Sequence, residues 1–322
     1  MNIVILDDYQ DVVRHLACFS LLSEHNVRVL TTSYTNNNEL AEAIKDAEAL
    51  VLIRERTPIT EAFLSKLPHL KIISQTGKAG SHIDLQACTK QHVLVCDGVG
   101  SPIAPSELCW APIMAASRHI VPYATNASND IWQSSGTLGL GRTLRGLTLG
   151  IWGYGNIGQR VAGFGNVFGM KILIWGSEAS RAKAKEHGFE TANSKAEFFA
   201  TSDVLSLHLK LSDATKRCVT QSDLDSMKPD SLFVNISRAE LVEKRALYAS
   251  LKNTPTKRAA IDVFETEPAT RENEPLLALK NVLSTPHIGY VEQNNYENYF
   301  KMAFENIVAF AQGKPQNGVN HL

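Results

Sequence analysis

The chain has 322 residues, 44% of them apolar and 20% charged, with a formal net charge of −1. That length is enough for two domains with sizeable cores, and the balance is ordinary for a soluble globular protein. Near-neutral charge leaves no basic footprint for nucleic acid and no acidic tail, and no apolar run reaches the roughly 18 residues that would suggest a membrane span. Residues 1–8 (MNIVILDD) lack the basic start and long apolar stretch of a signal peptide. Five cysteines, Cys18, Cys88, Cys96, Cys109 and Cys218, are scattered without a Cys-x-x-Cys pair, the pattern of free thiols. A cytoplasmic location is the default expectation, and no metal site is expected.

Asn2–Leu6 is a β-branched apolar run stopped by Asp7 and Asp8, as for the first strand of an α/β domain, and Val12–Cys18 follows with helical spacing. Val27–Thr31 is strand-like, and the stretch from Asn38 to Lys45 opens on a cap and continues as a helical apolar stripe. Apolar runs at Ala49–Ile53, Ile72–Ser74 and Val93–Cys96 alternate with helical segments near Ile59–Leu67 and Ile83–Lys90. Strands alternating with helices predict a mostly parallel sheet covered on both faces. This first block has no glycine fingerprint. Asp97–Pro105 breaks the rhythm as a linker, and Ser106–Ile120 resumes as a long apolar helix with Ser106 as its cap. Asn126–Arg145 is polar and glycine-rich with Trp132 isolated inside it, the composition of an arm, a lid or a subunit contact.

Gly153–Gly158 (GYGNIG) lies between the apolar run Leu147–Trp152 and a helical start at Ile157–Phe164. Glycines at this spacing are weak evidence alone. Between a strand and a helix, one permits a tight turn, the next lets backbone approach a pyrophosphate, and the third allows close helix–strand packing. The helix N-terminus then offers N–H groups to the phosphates. The prediction is a dinucleotide site at Gly153, Tyr154, Gly155, Asn156, Ile157 and Gly158. Lys171–Trp175, Asp203–Leu207, Ser231–Ile236, Arg258–Asp262 and Val282–Ser284 read as further strands, with helical stretches at Ser180–His187, Glu240–Leu251 and Glu292–Gln312. His208, Arg238, Asp262 and His287 lie at or just beyond strand ends, where ligands collect in open α/β sheets. Singly, each is as readily a structural hydrogen-bonding residue. Four on one edge with a phosphate loop point to a reaction centre.

Four stretches carry a resemblance: Gly153–Gly158; Val204–His208 (VLSLH); Val234–Val242 (VNISRAELV); and Asp262–Pro268 (DVFETEP) followed by Thr285–Gly289 (TPHIG). Together they resemble the D-isomer-specific 2-hydroxyacid dehydrogenases, over nearly the whole chain. The resemblance implies an α/β protein of two Rossmann-like or flavodoxin-like domains with parallel sheets and the active site in the cleft between them. Residues 1–100 with 290–322 would form the substrate domain, and residues 101–289 the dinucleotide-binding Rossmann domain. It implies an oxidoreductase moving a hydride between NAD or NADP and a small D-2-hydroxy acid or 2-oxo acid, with Arg238, Glu267 and His287 as the catalytic set. The residue types suit that chemistry. Arg238 can grip a carboxylate and a carbonyl oxygen with its planar fork of donors. His287 can exchange a proton near neutral pH, and Glu267 beside it would favour imidazolium and fix the ring. The resemblance extends the cofactor contacts to Gly176, Ser177, Arg181, His208, Thr215, Ile236, Ser237, Arg238, Asp262 and His287. It assigns substrate contacts to Gly77, Lys78 and Ala79 in the loop Thr76–Gly80, alongside Arg238 and His287. Lys78 either adds positive charge for an acidic substrate or points into solvent, and Asp84 fits as a structural residue. A homodimer through the Ala124–Arg145 arm completes what the family implies.

The chain departs from the family pattern at three places. The second strand of the nucleotide domain usually ends in an acid about 20 residues past the glycines, which binds the ribose hydroxyls of NAD. Gly176 stands there instead. Either Ser177 and Arg181 receive a 2′-phosphate, or Glu178 reaches back as the ribose acid. Ala239 replaces a usual Gly, and Lys210 a usual Pro. Tyr290 and Trp132 are candidates for shaping the substrate pocket, a role that competes with plain packing. A nicotinamide-sensing, corepressor-like binding protein on the same fold is the competing function, disfavoured by the intact Arg238, Glu267 and His287. A methyltransferase using the glycine loop would need none of those three.

Overall fold

Strands β1 (Asn2–Ile5), β2 (Asn26–Val29), β3 (Ala49–Ile53), β4 (Ile72–Thr76) and β5 (Leu94–Cys96) form an all-parallel sheet in the order β2-β1-β3-β4-β5. This is a computed structural model, described for residues 1–34 and 36–321. Every residue of β3 and β4 is buried, as expected of parallel strands covered on both faces. One face packs an apolar core that includes Leu50, Leu52, Ile73, Phe63 and Ile83. The helix Gln293–Ala311 packs on β4, and its buried Asn306 donates to Ser74 Oγ (3.2 Å) and the Asp97 carbonyl (3.1 Å). The first block thus recruits the C-terminal helix, and Met1–Ser101 with Val291–Leu322 makes one unit.

Pro102–Tyr290 makes the other unit. Its strands are β6 (Thr148–Trp152), β7 (Lys171–Trp175), β8 (Glu190–Thr191), β9 (Val204–Leu207), β10 (Leu232–Asn235), β11 (Arg258–Ile261) and β12 (Val282–Ser284). They lie in the order β12-β11-β10-β9-β6-β7-β8, again all parallel. The order reverses between β6 and β9, the switch point at which doubly wound sheets open a crevice for ligands. The glycine loop follows β6 directly, and His208 follows β9.

Several local expectations are corrected. Val12–Cys18 is two short 3-10 turns, Val13–His15 and Ala17–Leu22, rather than one helix. The helix near residue 38 is capped by Asn36, whose side chain accepts from the Asn38 N–H. The long helix runs Ile103–Ser117, starting after Pro102 instead of at Ser106, and Ser106 Oγ donates to the Ile103 carbonyl (2.7 Å). Pro105 looked like linker, but a proline is tolerated in a first helical turn because its missing N–H has no partner there anyway. His119 turns the chain in the left-handed region (φ 51°), and a second helix follows at Ile120–Ala127. Glu240–Leu251 is broken: a 3-10 turn at Ala239–Leu241 and a helix at Ala246–Asn253 are separated by Arg245 at φ 64°. β8 and the short helices Lys195–Thr201 and Gln221–Ser226 had no sequence expectation. Both helices are held by Ser194 and Thr220 caps, and segments of this length show too few helical repeats to be read.

Candidate active site

The three glycines after β6 have three different physical causes. Gly153 sits at φ 99°, and a Cβ there would lie 2.5 Å from the His208 carbonyl oxygen, so the close approach of the two strand ends requires glycine. A Cβ at Gly158 would lie 2.2 Å from the Gly153 carbonyl, so the helix Asn156–Val167 needs glycine to start against the loop. Gly155 is different. No protein atom lies within 4 Å of its would-be Cβ, so nothing in the protein demands glycine there. The open space at the uncapped N-terminus of the helix is the cradle a pyrophosphate needs, and the residues present fit a dinucleotide. Tyr154 turns inward, 3% exposed, with its hydroxyl 2.8 Å from His187 Nδ1. Ile157, half-buried, packs against the same core.

At the end of β7, Gly176 has φ 153°, a conformation that L side chains rarely adopt, so an acid at this position would be strained. Ser177 caps the helix Glu178–Glu186, accepting from the Ser180 N–H (3.3 Å) and donating to Ser180 Oγ (3.1 Å). Arg181, one turn on, lies over the Trp175 ring with its guanidinium carbon 4.9 Å from the centroid. Glu178 is exposed in the first turn of that helix, where its charge suits the helix dipole.

The carboxyl edge carries the predicted catalytic residues. His287 Nδ1 is 2.7 Å from Glu267 Oε2, and Glu267 Oε1 accepts from the Phe264 N–H (3.1 Å). The carboxylate is therefore held at both oxygens, and Nε2 is the nitrogen of His287 left to face a reacting group. Asp262, 1% exposed at the end of β11, accepts from Thr285 Oγ1 (2.6 Å), the Ile288 N–H (2.9 Å) and the Gly289 N–H (2.8 Å). Burial pushes its carboxyl above the usual range, and those bonds and the neighbouring His287 pull it back. The expectation of a cofactor contact at Asp262 is thereby refocused: most of its acceptor capacity goes into holding the loop that bears His287. His287 itself is at φ 53°, uncommon for a residue with a side chain.

Arg238 follows β10, the neighbour of β11, so it shares the edge with Asp262. Its carbonyl accepts from Asn235 Nδ2 (2.8 Å), while Asn235 Oδ1 accepts from the Ser237 N–H (3.0 Å). Arg238 Nη1 donates to the Ser237 carbonyl (2.7 Å). Asn235 and Thr285 were not anticipated as site residues. The signal was an Asn two residues before the Ser-Arg pair and a Thr two before the His. Each bridges backbone that is far apart or sharply turned, which spacing does not reveal.

Other predicted cofactor contacts are partly committed within the protein. Ser237 Oγ donates to the Leu207 carbonyl (2.8 Å), and Thr215 Oγ1 donates to the Lys210 carbonyl (2.6 Å), closing its own turn. Ile236 is half-buried at the strand end. His208 Nε2 is 2.9 Å from Ser206 Oγ, which in turn lies 3.4 Å from Cys109 Sγ. Burial pushes the His208 imidazole down to about 4 and the Cys109 thiol up to about 12, so both are neutral near pH 7. His208 Nδ1 is a buried ring nitrogen without a partner among the described residues. In the five-stranded unit, Gly77 has φ 108°, Ala79 donates its N–H to Asp97 Oδ1 (2.6 Å), and Lys78 Nζ is 2.9 Å from Asp97 Oδ2. Lys78 is exposed and ion-paired, and the Ala79 N–H is already engaged. Asp84 caps the following helix by accepting from the Ala87 N–H, the structural role expected of it.

A doubly wound sheet with a phosphate cradle at its switch point and a histidine–carboxylate pair on the same edge defines a dinucleotide-dependent oxidoreductase. Residues 110–289 match the family described as D-isomer specific 2-hydroxyacid dehydrogenase, NAD binding domain. The glyoxylate reductase of Aeropyrum pernix is 37% identical over 289 residues, 87% of this chain and 85% of that protein. The crystal structure of a phosphoglycerate oxidoreductase from Vibrio cholerae O395 is similar at 60% identity and a TM-score of 0.96, covering 97% of this chain and 99% of the other. A D-lactate dehydrogenase from Aquifex aeolicus, complexed with NAD and lactic acid, is similar over the full length of both chains at 29% identity and a TM-score of 0.79. The chain belongs to the D-isomer-specific 2-hydroxyacid dehydrogenase family. It is an NAD(P)-dependent oxidoreductase acting on the CH–OH group of small D-2-hydroxy acids, which sets aside the corepressor-like alternative.

Proposed function

We propose that Arg238, Glu267 and His287 carry the reaction, on the strength of one observation above all: the 2.7 Å pairing of His287 Nδ1 with a carboxylate that is itself anchored. Gly153–Gly158 would hold the pyrophosphate, and the Gly176–Arg181 segment the adenosine ribose. The bound nicotinamide supplies or accepts the hydride at the carbon bearing the oxygen. Arg238 binds and orients the substrate carboxylate. In reduction, His287 donates the Nε2 proton to the developing alkoxide, and Glu267 at Nδ1 stabilises the imidazolium before transfer. In oxidation, His287 takes the hydroxyl proton at the same nitrogen.

The same reading extends to cofactor and substrate. Gly176 places no carboxylate against a 2′-phosphate, and Arg181 stands one turn away over Trp175, so the enzyme accepts NADPH as well as NADH. Arg54 and Arg56 follow β3, two guanidinium groups suited to a 2-oxo acid with a second anionic group. The Vibrio cholerae relative's description as a phosphoglycerate oxidoreductase supports that choice, whereas the Aeropyrum pernix description as a glyoxylate reductase favours a short substrate. Steady-state kinetics with NADH and NADPH against glyoxylate, pyruvate, hydroxypyruvate and its phosphate ester test all of this. We expect kcat/KM to be highest for the phosphate ester, with the two cofactors within about tenfold, the span of a single hydrogen bond to a charged group. No turnover of any 2-oxo acid would overturn the catalytic reading; a large NADH preference overturns only the cofactor extension.

The family's dimer through the Ala124–Arg145 arm is supported by exposed apolar side chains along it: Trp132 (81%), Leu140 (90%) and Ile131 (49%). Large aromatics left in water are the usual anchors of an interface. Trp132→Asp is expected to shift the protein toward monomer in sedimentation velocity, and an unchanged dimer would refute the arm's role. A cytoplasmic setting is supported by five unpaired cysteines, four of them buried. No helix among the described residues is long and apolar enough to cross a membrane.

A further inference from the structure

The acid–base assignment leaves one mechanical question, namely what fixes the plane of the His287 ring. Glu267 holds a single atom, Nδ1, at 2.7 Å, and a ring held at one atom can pivot about that bond. Asp262 holds the backbone after it, through the Ile288 and Gly289 N–H groups, and acts on the imidazole only as a neighbouring charge, which sets no ring plane. The backbone of His287 is in the left-handed region, so no helix or strand neighbours constrain its side chain in the ordinary way.

Tyr290 supplies the missing constraint. Its ring centroid is 5.8 Å from that of His287, with an interplanar angle of 85°, inside the range of edge-to-face aromatic pairs. The residue is 5% exposed, so its ring is a fixed wall beside the imidazole. The intervening turn is tight: a Cβ at Gly289 would lie 3.2 Å from Asp262 Oδ2. Tyrosine has only two side-chain torsions, so its ordering costs little entropy compared with a long aliphatic chain.

We propose that Tyr290 is a positioning residue for His287: its buried ring, set edge-to-face on the imidazole, fixes the plane in which Nε2 meets the substrate oxygen. The inference rests on the acid–base reading of His287. A proton donor misplaced by about 1 Å loses on the order of a hundredfold in rate, so holding the ring matters to kcat more than to binding.

The test uses the full-length enzyme as Tyr290→Leu and Tyr290→Phe, beside His287→Ala. In Tyr290→Leu, kcat is expected to fall about ten- to a hundredfold, with KM and NADH affinity within about twofold. The limb of the pH–rate profile that belongs to His287 should move in the same variant. Tyr290→Phe keeps the ring contact and should retain about half of kcat or more, with an unmoved limb. A mere packing role predicts lower melting temperature and active fraction with kcat per active site unchanged. That result, or a Phe variant as impaired as the Leu variant, overturns the proposal. If His287→Ala is itself near wild type, the acid–base reading fails first. If His287→Ala collapses while Tyr290→Leu turns over normally, only the positioning role fails.

Discussion

His287→Ala is expected to lower kcat about a thousandfold while NADH affinity, followed by nicotinamide fluorescence, changes less than about twofold. The ring nitrogen paired with Glu267 is Nδ1, Nε2 handles the substrate proton in the proposed mechanism, and alanine removes both. Water can replace the proton donor but not its placement, and positioned general acid–base groups typically contribute about a hundredfold to ten-thousandfold. The proposed cofactor cradle, Gly153–Gly158, follows a different strand from the one preceding His287, so cofactor affinity should be spared. Steady-state kinetics on purified variant and wild type decide the matter, and near-normal turnover would remove His287 from the mechanism. The variant also removes the Nδ1 partner of Glu267 Oε2. Because that carboxylate is partly exposed, we expect only a small loss of thermal stability.

Arg238→Ala is expected to raise the substrate KM and lower kcat, together reducing kcat/KM by about a hundredfold to ten-thousandfold, the span of two lost charge-assisted hydrogen bonds. The loss divides because, in the proposed mechanism, the fork that binds the carboxylate would also steady the carbonyl oxygen as charge develops on it, which is binding realised in the transition state. Arg238→Lys should rescue poorly, since an ammonium offers a point charge in place of a planar pair of donors. Asn235 holds the Arg238 carbonyl and the Ser237 N–H, so the backbone should survive either substitution. A change confined to kcat, with KM intact, would contradict a substrate-anchoring role.

The alternation of apolar runs and helical stretches sufficed to read a parallel α/β protein, and the element cores at Ala49–Ile53, Lys171–Trp175 and Val282–Ser284 coincide with β3, β7 and β12. β3 announces itself because it is buried on both faces and apolar throughout. The misread elements were those settled by single hydrogen bonds. Ser106 has the chemistry of a cap, yet it lies buried inside a helix that had already begun at Ile103. The stretch after Glu240 has helical composition, yet the chain breaks at Arg245.

At the site, His208, Arg238, Asp262 and His287 at strand ends beside a glycine loop pointed to a reaction centre, while the hydride-transfer chemistry and the place of Glu267 in it came from the resemblance, because composition alone reads Glu267 as a surface acid in a turn. What spacing leaves undetermined is how side chains twenty or more residues apart meet. Only the tertiary structure brought Glu267 onto His287 Nδ1, turned Asp262 inward to hold the loop after it, and laid Tyr290 across the imidazole. It also separated the glycines: Gly153 and Gly158 are required by neighbouring backbone, while Gly155 faces open space. The physical reason is one of range. Burial periodicity and turn chemistry are local and leave their mark on neighbouring residues, whereas a hydrogen bond between distant loops depends on where two strand ends arrive, and that is set by the packing of the whole sheet.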